Sequence, residues 1–382
     1  MLTADGCLAR RRRLMKRVAP ESAWAIVADP RHLMYLANLP VEPISWSSPP
    51  PGLLLVARDG TATLVVDNLA VRRPESLCVE RLEIANWYNG VDSPGDRRLA
   101  VIEHLVRCLP RKLPDSIAIE MRAVPAELLR RLSRDLSVRM FHSIDDELLA
   151  MRAVKDSDEL DLLRRCIRAG EAGHARAWDI VRPGVTELDV YREVASACVA
   201  AAGQPAVVYG DFCSGPRTWL ERGGPPTDRI LQAGDLMILD FSVVIAGYRS
   251  DFTNTIAVGN RPTSEQCRLF DLCRESLVAA ERTVRPGTRG SDLWQAVHAS
   301  LTAAGPDYHY SGHAGHGIGL AHPEPPIFVP NSSDTLAAGN VITLEPGVYI
   351  EGVGGMRFEH NYVVTKNGFE RLTNHRMGLA AG

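Results

Sequence analysis

The sequence has no C-x-x-C pair, no apolar run long enough to cross a bilayer, and no strong excess of charge of either sign. Each absence excludes something. Eight cysteines (Cys7, Cys78, Cys108, Cys166, Cys198, Cys213, Cys267, Cys273) are scattered over 382 residues, so they read as buried or free thiols of a reducing compartment rather than a disulfide framework. A formal net charge of −3 gives no footprint for nucleic acid or a membrane surface. The basic run Arg10–Arg13 is not followed by a signal-peptide-like or membrane-spanning segment, so it is expected on a solvated first helix, with the cytoplasm as the expected location. What is present is ordinary for a soluble globular protein: 45% hydrophobic and 23% charged residues, with 31 Gly and 25 Pro. The length allows two domains and a substantial core.

The chain divides near Met151 into expected domains 1–150 and 151–382. In the first, Leu8–Val18 has the pattern of a basic amphipathic helix, Trp24–Ala28 of a short strand and His32–Leu39 of a helix or turn. A Pro/Ser-rich loop, Ile44–Gly52, leads to two strand-like runs, Leu53–Ala57 and Ala62–Val66, joined through Asp59-Gly60. Arg98–Cys108 and Ala126–Leu136 are helical in pattern. The mixture is α/β, and no residue cluster in it suggests chemistry; a structural or substrate-capping domain is expected.

The second domain opens with a capping box, Asp156 and Glu159, ahead of a long helix that carries Leu160, Leu163, Ile167 and Trp178 at helical spacing up to Pro183-Gly184. Thr186 caps a second helix to about Ala202, and Gly210–Pro226 reads as an irregular loop that walls a pocket, with Arg217, Trp219 and Arg222 as candidate substrate contacts. Leu236–Val243 alternates as a strand, with Met237, Leu239, Phe241 and Val243 on one apolar face and Asp240 on the other. It turns at Ala246-Gly247 and returns as Arg249–Val258, which sets Asp251 roughly opposite Asp240. Like charges so placed are destabilising unless a cation lies between them. Two helices follow in 263–304, with Leu269, Leu272, Leu277, Leu293, Val297 and Leu301 as core positions.

The organising stretch is Gly312–Pro326, where His316 lies between Gly315 and Gly317. Glu345 ends the alternating run Val341–Glu345 at Pro346-Gly347, and Glu359 shares a face with Arg357 and Asn361 in a last strand. Asp240, Asp251, Glu345, Glu359 and one imidazole are a hard, oxygen-rich set that suits two divalent metal ions. Such a pair would polarise a carbonyl and activate a water. Arg357 is expected to orient a ligand carboxylate.

The order Asp240, Asp251, His316, Glu345, Glu359, carried by PTDRILQAGDLMILDFSVVIAGYRSDFTNT, GHGIGL, TLEPGVY and MRFEHNYVVT, resembles that of the pita-bread metallopeptidases: methionine aminopeptidase, Xaa-Pro aminopeptidase, prolidase and creatinase. The resemblance covers about residues 150–375. It implies a catalytic domain of two pseudo-symmetric α/β halves around a curved antiparallel sheet, behind a creatinase-like α/β N-terminal domain. It further implies manganese, or else cobalt, zinc or iron, as the metal, Glu345 as general base, and a homodimer. Two family histidines are replaced, by Gly223 three residues before PTDR and by Pro323 seven residues after His316. Those histidines assist with the substrate carbonyl and the departing amine, so His313 or His322 is expected to take their place. Pro323 and Pro325-Pro326 are expected to break the strand alternation and turn His322 towards the metals. Three functions stay open: amide hydrolysis of a small peptide of the Xaa-Pro type, hydrolysis of a small non-peptide C–N bond, and binding without turnover.

Overall fold

The Asp59-Gly60 turn, with Gly60 in the left-handed region at φ +91°, folds the strand Gly52–Ala57 antiparallel onto Ala62–Asp67. This hairpin sits inside a six-stranded sheet in the order 81–85, 62–67, 52–57, 24–27, 116–119, 140–143. The protein is seen here as a computed structural model that describes residues 1–40, 52–70, 73–110, 115–259, 261–302, 305 and 309–380. It forms two units, Met1–Arg152 and Ala153–Gly382. Of the expected Ile44–Gly52 loop, Gly52 begins a strand and the remainder lies outside the described residues.

In the first unit the outer pairings, 62–67 with 81–85, 24–27 with 116–119 and 116–119 with 140–143, are parallel. The helices Arg97–Cys108 and Ala126–Leu136 bury Val101, Ile102, Leu105, Leu128 and Leu132 with Ile26, Leu55, Val65, Ile117 and Ile119 of the sheet. The first helix, Ala4–Arg17, corrects one expectation: its basic run is not wholly solvated, because Arg10 and Arg11 are buried. Arg11 donates to the carbonyls of Gly60, Leu36 and Cys78 and to the Glu80 carboxylate, and Arg10 Nε donates to the Tyr35 carbonyl. A planar guanidinium can satisfy several loop-end carbonyls at once, which a hydropathy pattern does not register.

In the second unit one arrangement occurs twice, a pair of helices followed by antiparallel strands. The capping boxes Asp156/Glu159 and Thr186/Asp189 start Ser157–Ile180 and Glu187–Ala202, and Gly203 ends the latter in the left-handed conformation. Leu163 and Ile167 are buried as expected, whereas Leu160 and Trp178 are half-buried; Gly170 and Gly173 share the inner face, packed so closely that an added Cβ would meet Phe252 and Cys198. A third capping box, Thr263/Gln266, starts Ser264–Glu281, and Gly290–Thr302 completes the second pair. The strands 252–257, 236–245 and 207–214 form one antiparallel sheet, and 324–328, 315–317, 341–344, 360–364 and 369–371 another, with a three-stranded sheet of 309–310, 347–350 and 354–357.

Two strand expectations are corrected. The segment Gly210–Pro226 is not loop throughout: Val207–Ser214 is a strand paired with Leu236–Ile245, and Arg217–Leu220 is a helical turn. Gly210, the first residue of the expected loop, marks a close strand approach, since a Cβ there would lie 2.2 Å from the Asp240 carbonyl oxygen. The expected last strand is two strands, Gly354–Arg357 and His360–Val364, in different sheets with Glu359 between them.

Candidate metal centre

His316 stands on the short strand Gly315–Gly317. Its glycine neighbours serve the adjoining backbones: a Cβ on Gly315 would come 2.2 Å from the Thr343 carbonyl oxygen, and one on Gly317 2.4 Å from that of Pro325. Such close packing holds the histidine between two strands. His316 Nδ1 lies 3.0 Å from the Gly317 carbonyl, which can only accept, so Nδ1 carries the proton and Nε2 presents its lone pair. That Nε2 is 3.4 Å from Glu345 Oε1 and 3.6 Å from Asp251 Oδ2.

The four acids reach the cluster from different backbone settings. Only Asp240 lies within a strand; Asp251 precedes Phe252–Ala257, Glu345 follows Val341–Leu344, and Glu359 links two strands. The hairpin turn Ala246-Gly247 has both residues at positive φ, as a two-residue turn requires. Its register pairs Asp240 with Thr253, so Asp251 is the diagonal neighbour of Asp240, not its opposite as expected. Thr253 Oγ1 donates to Glu359 Oε2 at 2.7 Å, and the other oxygen, Glu359 Oε1, is buried with no hydrogen-bond partner.

Electrostatics follow from this crowding. Burial, with Asp251, Glu345 and Asp240 nearby, pushes the Glu359 carboxyl well above its usual range. Burial also pushes Asp240 up, to about 7, against the pull of Arg357 and with help from Asp251 and Asp211. Burial acts the same way on Asp251, but the His322 and His316 imidazoles and Arg249 overcome it and hold Asp251 at about 2. Glu345 is likewise lowered despite burial, chiefly by His313. Three buried carboxylates (Asp251, Glu345 and Glu359) and the half-buried Asp240, clustered with an imidazole lone pair and including one orphaned oxygen, are a donor set that hard divalent cations fit.

His313 and His322 both touch this set. His313 Nε2 is 3.0 Å from Glu345 Oε2, and His322 Nε2 is 2.7 Å from Asp251 Oδ2. His322 lies in a bend between Gly315–Gly317 and Glu324–Phe328 rather than in a regular strand, and its ring stands edge-on to that of His316, 4.7 Å between centroids. Each carboxylate raises the pKa of the imidazole that it meets, against the effect of burial in His322.

Arg357 Nη2 lies 2.6 Å from Asp240 Oδ2, and the same nitrogen is 2.6 Å from Asp211 Oδ2. Its Nη1 donates to Tyr349 Oη and to the Arg222 carbonyl. Asp211 is a site residue that sequence reasoning missed, because it falls in the segment read as loop; it is the direct cross-strand partner of Asp240. The signal that carries it is the alternation Val207, Tyr209, Asp211, which continues as a strand through Gly210. Of the three expected substrate contacts, Arg217 is occupied by protein: it pairs with buried Glu187 and with Glu221 and donates to the Pro225 carbonyl. Trp219 packs on Cys213, Ile238 and Tyr349, and the Arg222 guanidinium lies over the Tyr349 ring, 5.8 Å from its centroid.

Known proteins share this chain's sequence pattern and fold. Residues 161–366 match the model of Metallopeptidase family M24, and residues 8–154 that of the Creatinase/Prolidase N-terminal domain. The chain is 28% identical over 258 residues to an Xaa-Pro dipeptidase of Pyrococcus horikoshii, covering 68% of this chain and 73% of that protein. It is 30% identical over 298 residues to a probable dipeptidase PepE of Mycobacterium bovis, covering 77% and 75% respectively. The crystal structure of the prolidase from Pyrococcus horikoshii shares the fold, with a TM-score of 0.79 at 23% identity over 98% of this chain and 99% of that one. With a creatinase-like N-terminal domain and a pita-bread domain whose polar face gathers one histidine and four carboxylates, this chain belongs to the M24 family of metallopeptidases and is a hydrolase.

Proposed function

We propose that the protein is a dinuclear metal-dependent hydrolase that cleaves an amide bond of a small peptide of the Xaa-Pro type. The observation that carries this reading is the approach of Asp251 and Glu345 to His316 Nε2, with the proton of that ring turned away on Nδ1 and with Asp240, Asp251 and Glu345 crowding the buried Glu359. These five residues would hold two divalent ions, manganese first, with cobalt, zinc or iron as alternatives. Bound there, the ions would supply Lewis acidity towards the scissile carbonyl and lower the pKa of the attacking water.

The chain's own residues would do the rest. Glu345 Oε2, already bonded to His313 Nε2, would receive the water proton, and His313 would share it. His322, with Nε2 on Asp251 and the ring partly exposed, would donate to the departing nitrogen. Arg357 would fix the orientation of the Asp240 carboxylate. Arg222 and Trp219 would line the approach. The relatives named as an Xaa-Pro dipeptidase and a prolidase support the peptide substrate.

A small non-peptide C–N substrate is the second reading, favoured by Gly223 and Pro323 where the family carries histidines. The proposal includes a homodimer, which sedimentation velocity reads directly, and a cytoplasmic location, supported by eight free thiols. Among the described residues no helix is long and apolar enough to cross a membrane. The test is metal analysis of the purified protein, followed by assays of Xaa-Pro dipeptides beside guanidino and amide metabolites before and after chelation and reloading with each metal. Chelation-sensitive release of proline with two metals per chain is the expected result; turnover unaffected by complete metal removal would overturn it.

A further inference from the structure

Asp211 adds a fifth carboxylate beside the cluster, and nothing in the ligand set accounts for it. It stands directly across the strand pair from Asp240, on the same face of the sheet. Its two oxygens are each engaged once: Oδ1 accepts from the Gly224 backbone N–H at 2.8 Å, and Oδ2 from Arg357 Nη2 at 2.6 Å. Arg357 does not belong to Asp211 alone, since the same nitrogen serves Asp240. A carboxylate has about four lone-pair directions, so both oxygens keep accepting capacity. The side chain is 32% exposed, whereas that of Asp240 is 15% exposed. Asp211 is therefore the more open of the two acids.

The chain makes room for this carboxylate. A Cβ built on Gly223 would lie 2.3 Å from Asp211 Oδ2 and 2.8 Å from its Cγ, so any side chain at 223 would displace the acid. Gly223 is not in the left-handed region. Its smallness thus answers to the space that Asp211 takes and not to a backbone conformation only glycine adopts. The Gly224 N–H bond and the Arg357 bond to the Arg222 carbonyl hold this turn of chain in place around the acid. A pre-positioned, half-open group that can only accept hydrogen bonds selects donors and repels anions. On the same strand, two residues away and so on the same face, Tyr209 is exposed and already carries the Arg249 guanidinium 6.0 Å from its ring centroid, which leaves Asp211 and Gly223 alone to select a substrate cation.

We propose that Asp211, accommodated by Gly223, is a specificity-determining residue that receives an alkylammonium group of the substrate at the rim of the metal centre. This rests on the hydrolase reading above and adds the substrate class: a molecule with a positively charged nitrogen near the scissile bond. That nitrogen comes either from a free α-amino group or from a basic side chain.

The experiment measures binding, so that it does not depend on turnover. Manganese-loaded wild-type protein, Asp211→Asn and Gly223→Ala are titrated by calorimetry with Ala-Pro, N-acetyl-Ala-Pro and N-acetyl-Lys-Pro, with metal content checked in each. In the wild type, Ala-Pro should bind more tightly than its acetylated form. Asp211→Asn should reduce that preference by on the order of tenfold, the usual worth of one charged hydrogen bond. Gly223→Ala, which keeps the charge but displaces it, should erode the preference in the same direction. Recovery of affinity by N-acetyl-Lys-Pro, lost again in Asp211→Asn, assigns the nitrogen to a basic side chain; no recovery assigns it to the α-amine. If Asp211→Asn weakens all three probes equally or none of them, Asp211 only orders Arg357 and the proposal is overturned. Absence of a preference in the wild type, or of binding by any probe, overturns it too. Hydrolysis without the preference leaves the hydrolase reading standing, and the preference without hydrolysis does the reverse.

Discussion

Two glutamates, Glu120 in the first unit and Glu359 in the second, are almost equally buried, at 2% and 1% exposure, yet their surroundings are opposite. Glu120 Oε2 accepts from the backbone N–H groups of Ala28 and Asp29, and Oε1 lies 2.5 Å from His32 Nδ1, whose other nitrogen meets Arg152. Its charge is matched by donors from its own unit. Glu359 has one donor, Thr253, an orphaned second oxygen, and three carboxylates for neighbours. A buried charge is kept either because the chain completes its hydrogen bonding or because something from outside does. Glu120 is thus completed by the chain around it, whereas Glu359 and its neighbours leave acceptor capacity that divalent cations would fill.

The hardest blow to this contrast would come from Asp251→Ala. If Asp251 is a ligand, the variant should fold, lose at least one metal per chain and lose turnover. A variant that still holds two metals by mass spectrometry would remove Asp251 from the set.

Next in size are the proton-handling groups. Glu345→Gln and His322→Ala, each assayed with full metal occupancy, should lower turnover by on the order of 10²-fold. His322 lies 2.7 Å from Asp251, so unchanged kcat/KM in His322→Ala would shift the acid role to His313.

Isosteric replacement of the two glutamates sharpens the comparison most directly. Glu120→Gln turns an acceptor into a donor among groups that already donate, and should cost about 1–3 kcal/mol in chemical denaturation. Glu359→Gln in metal-free protein should do the opposite and stabilise at neutral pH, read as a higher denaturation midpoint than that of the wild type. The pH dependence gives the sign. The folded-state pKa of Glu359 is raised, so its unfavourable contribution is absent below the ordinary carboxyl pKa and grows as pH rises towards the folded value. The advantage of the Gln variant should therefore vanish near pH 4 and increase with pH. Bound metal should abolish it at neutral pH, where the carboxylates are free to ligate. An advantage that does not change with pH would mean that the carboxylate repulsion has been misread.

The family, the α/β class of both parts, the two capping-box helix starts at Asp156 and Thr186, and the five proposed ligands are legible in the residues alone. These signals are local. Capping boxes at Asp156 and Thr186, the Ala246-Gly247 turn and the glycines around His316 act over a few residues and can be read in order along the chain. Only the tertiary structure decided the remainder. It put Thr253 rather than Asp251 opposite Asp240, split the last strand at Glu359, and drew Arg10 and Arg11 inside. It also brought Asp211 to Arg357, 146 positions away, and made Gly223 the space into which that acid fits. The reason is physical. Strand register and the sharing of one guanidinium between two acids are settled by packing among segments distant in the chain, and the choice of a single residue shift decides which side chain faces the site.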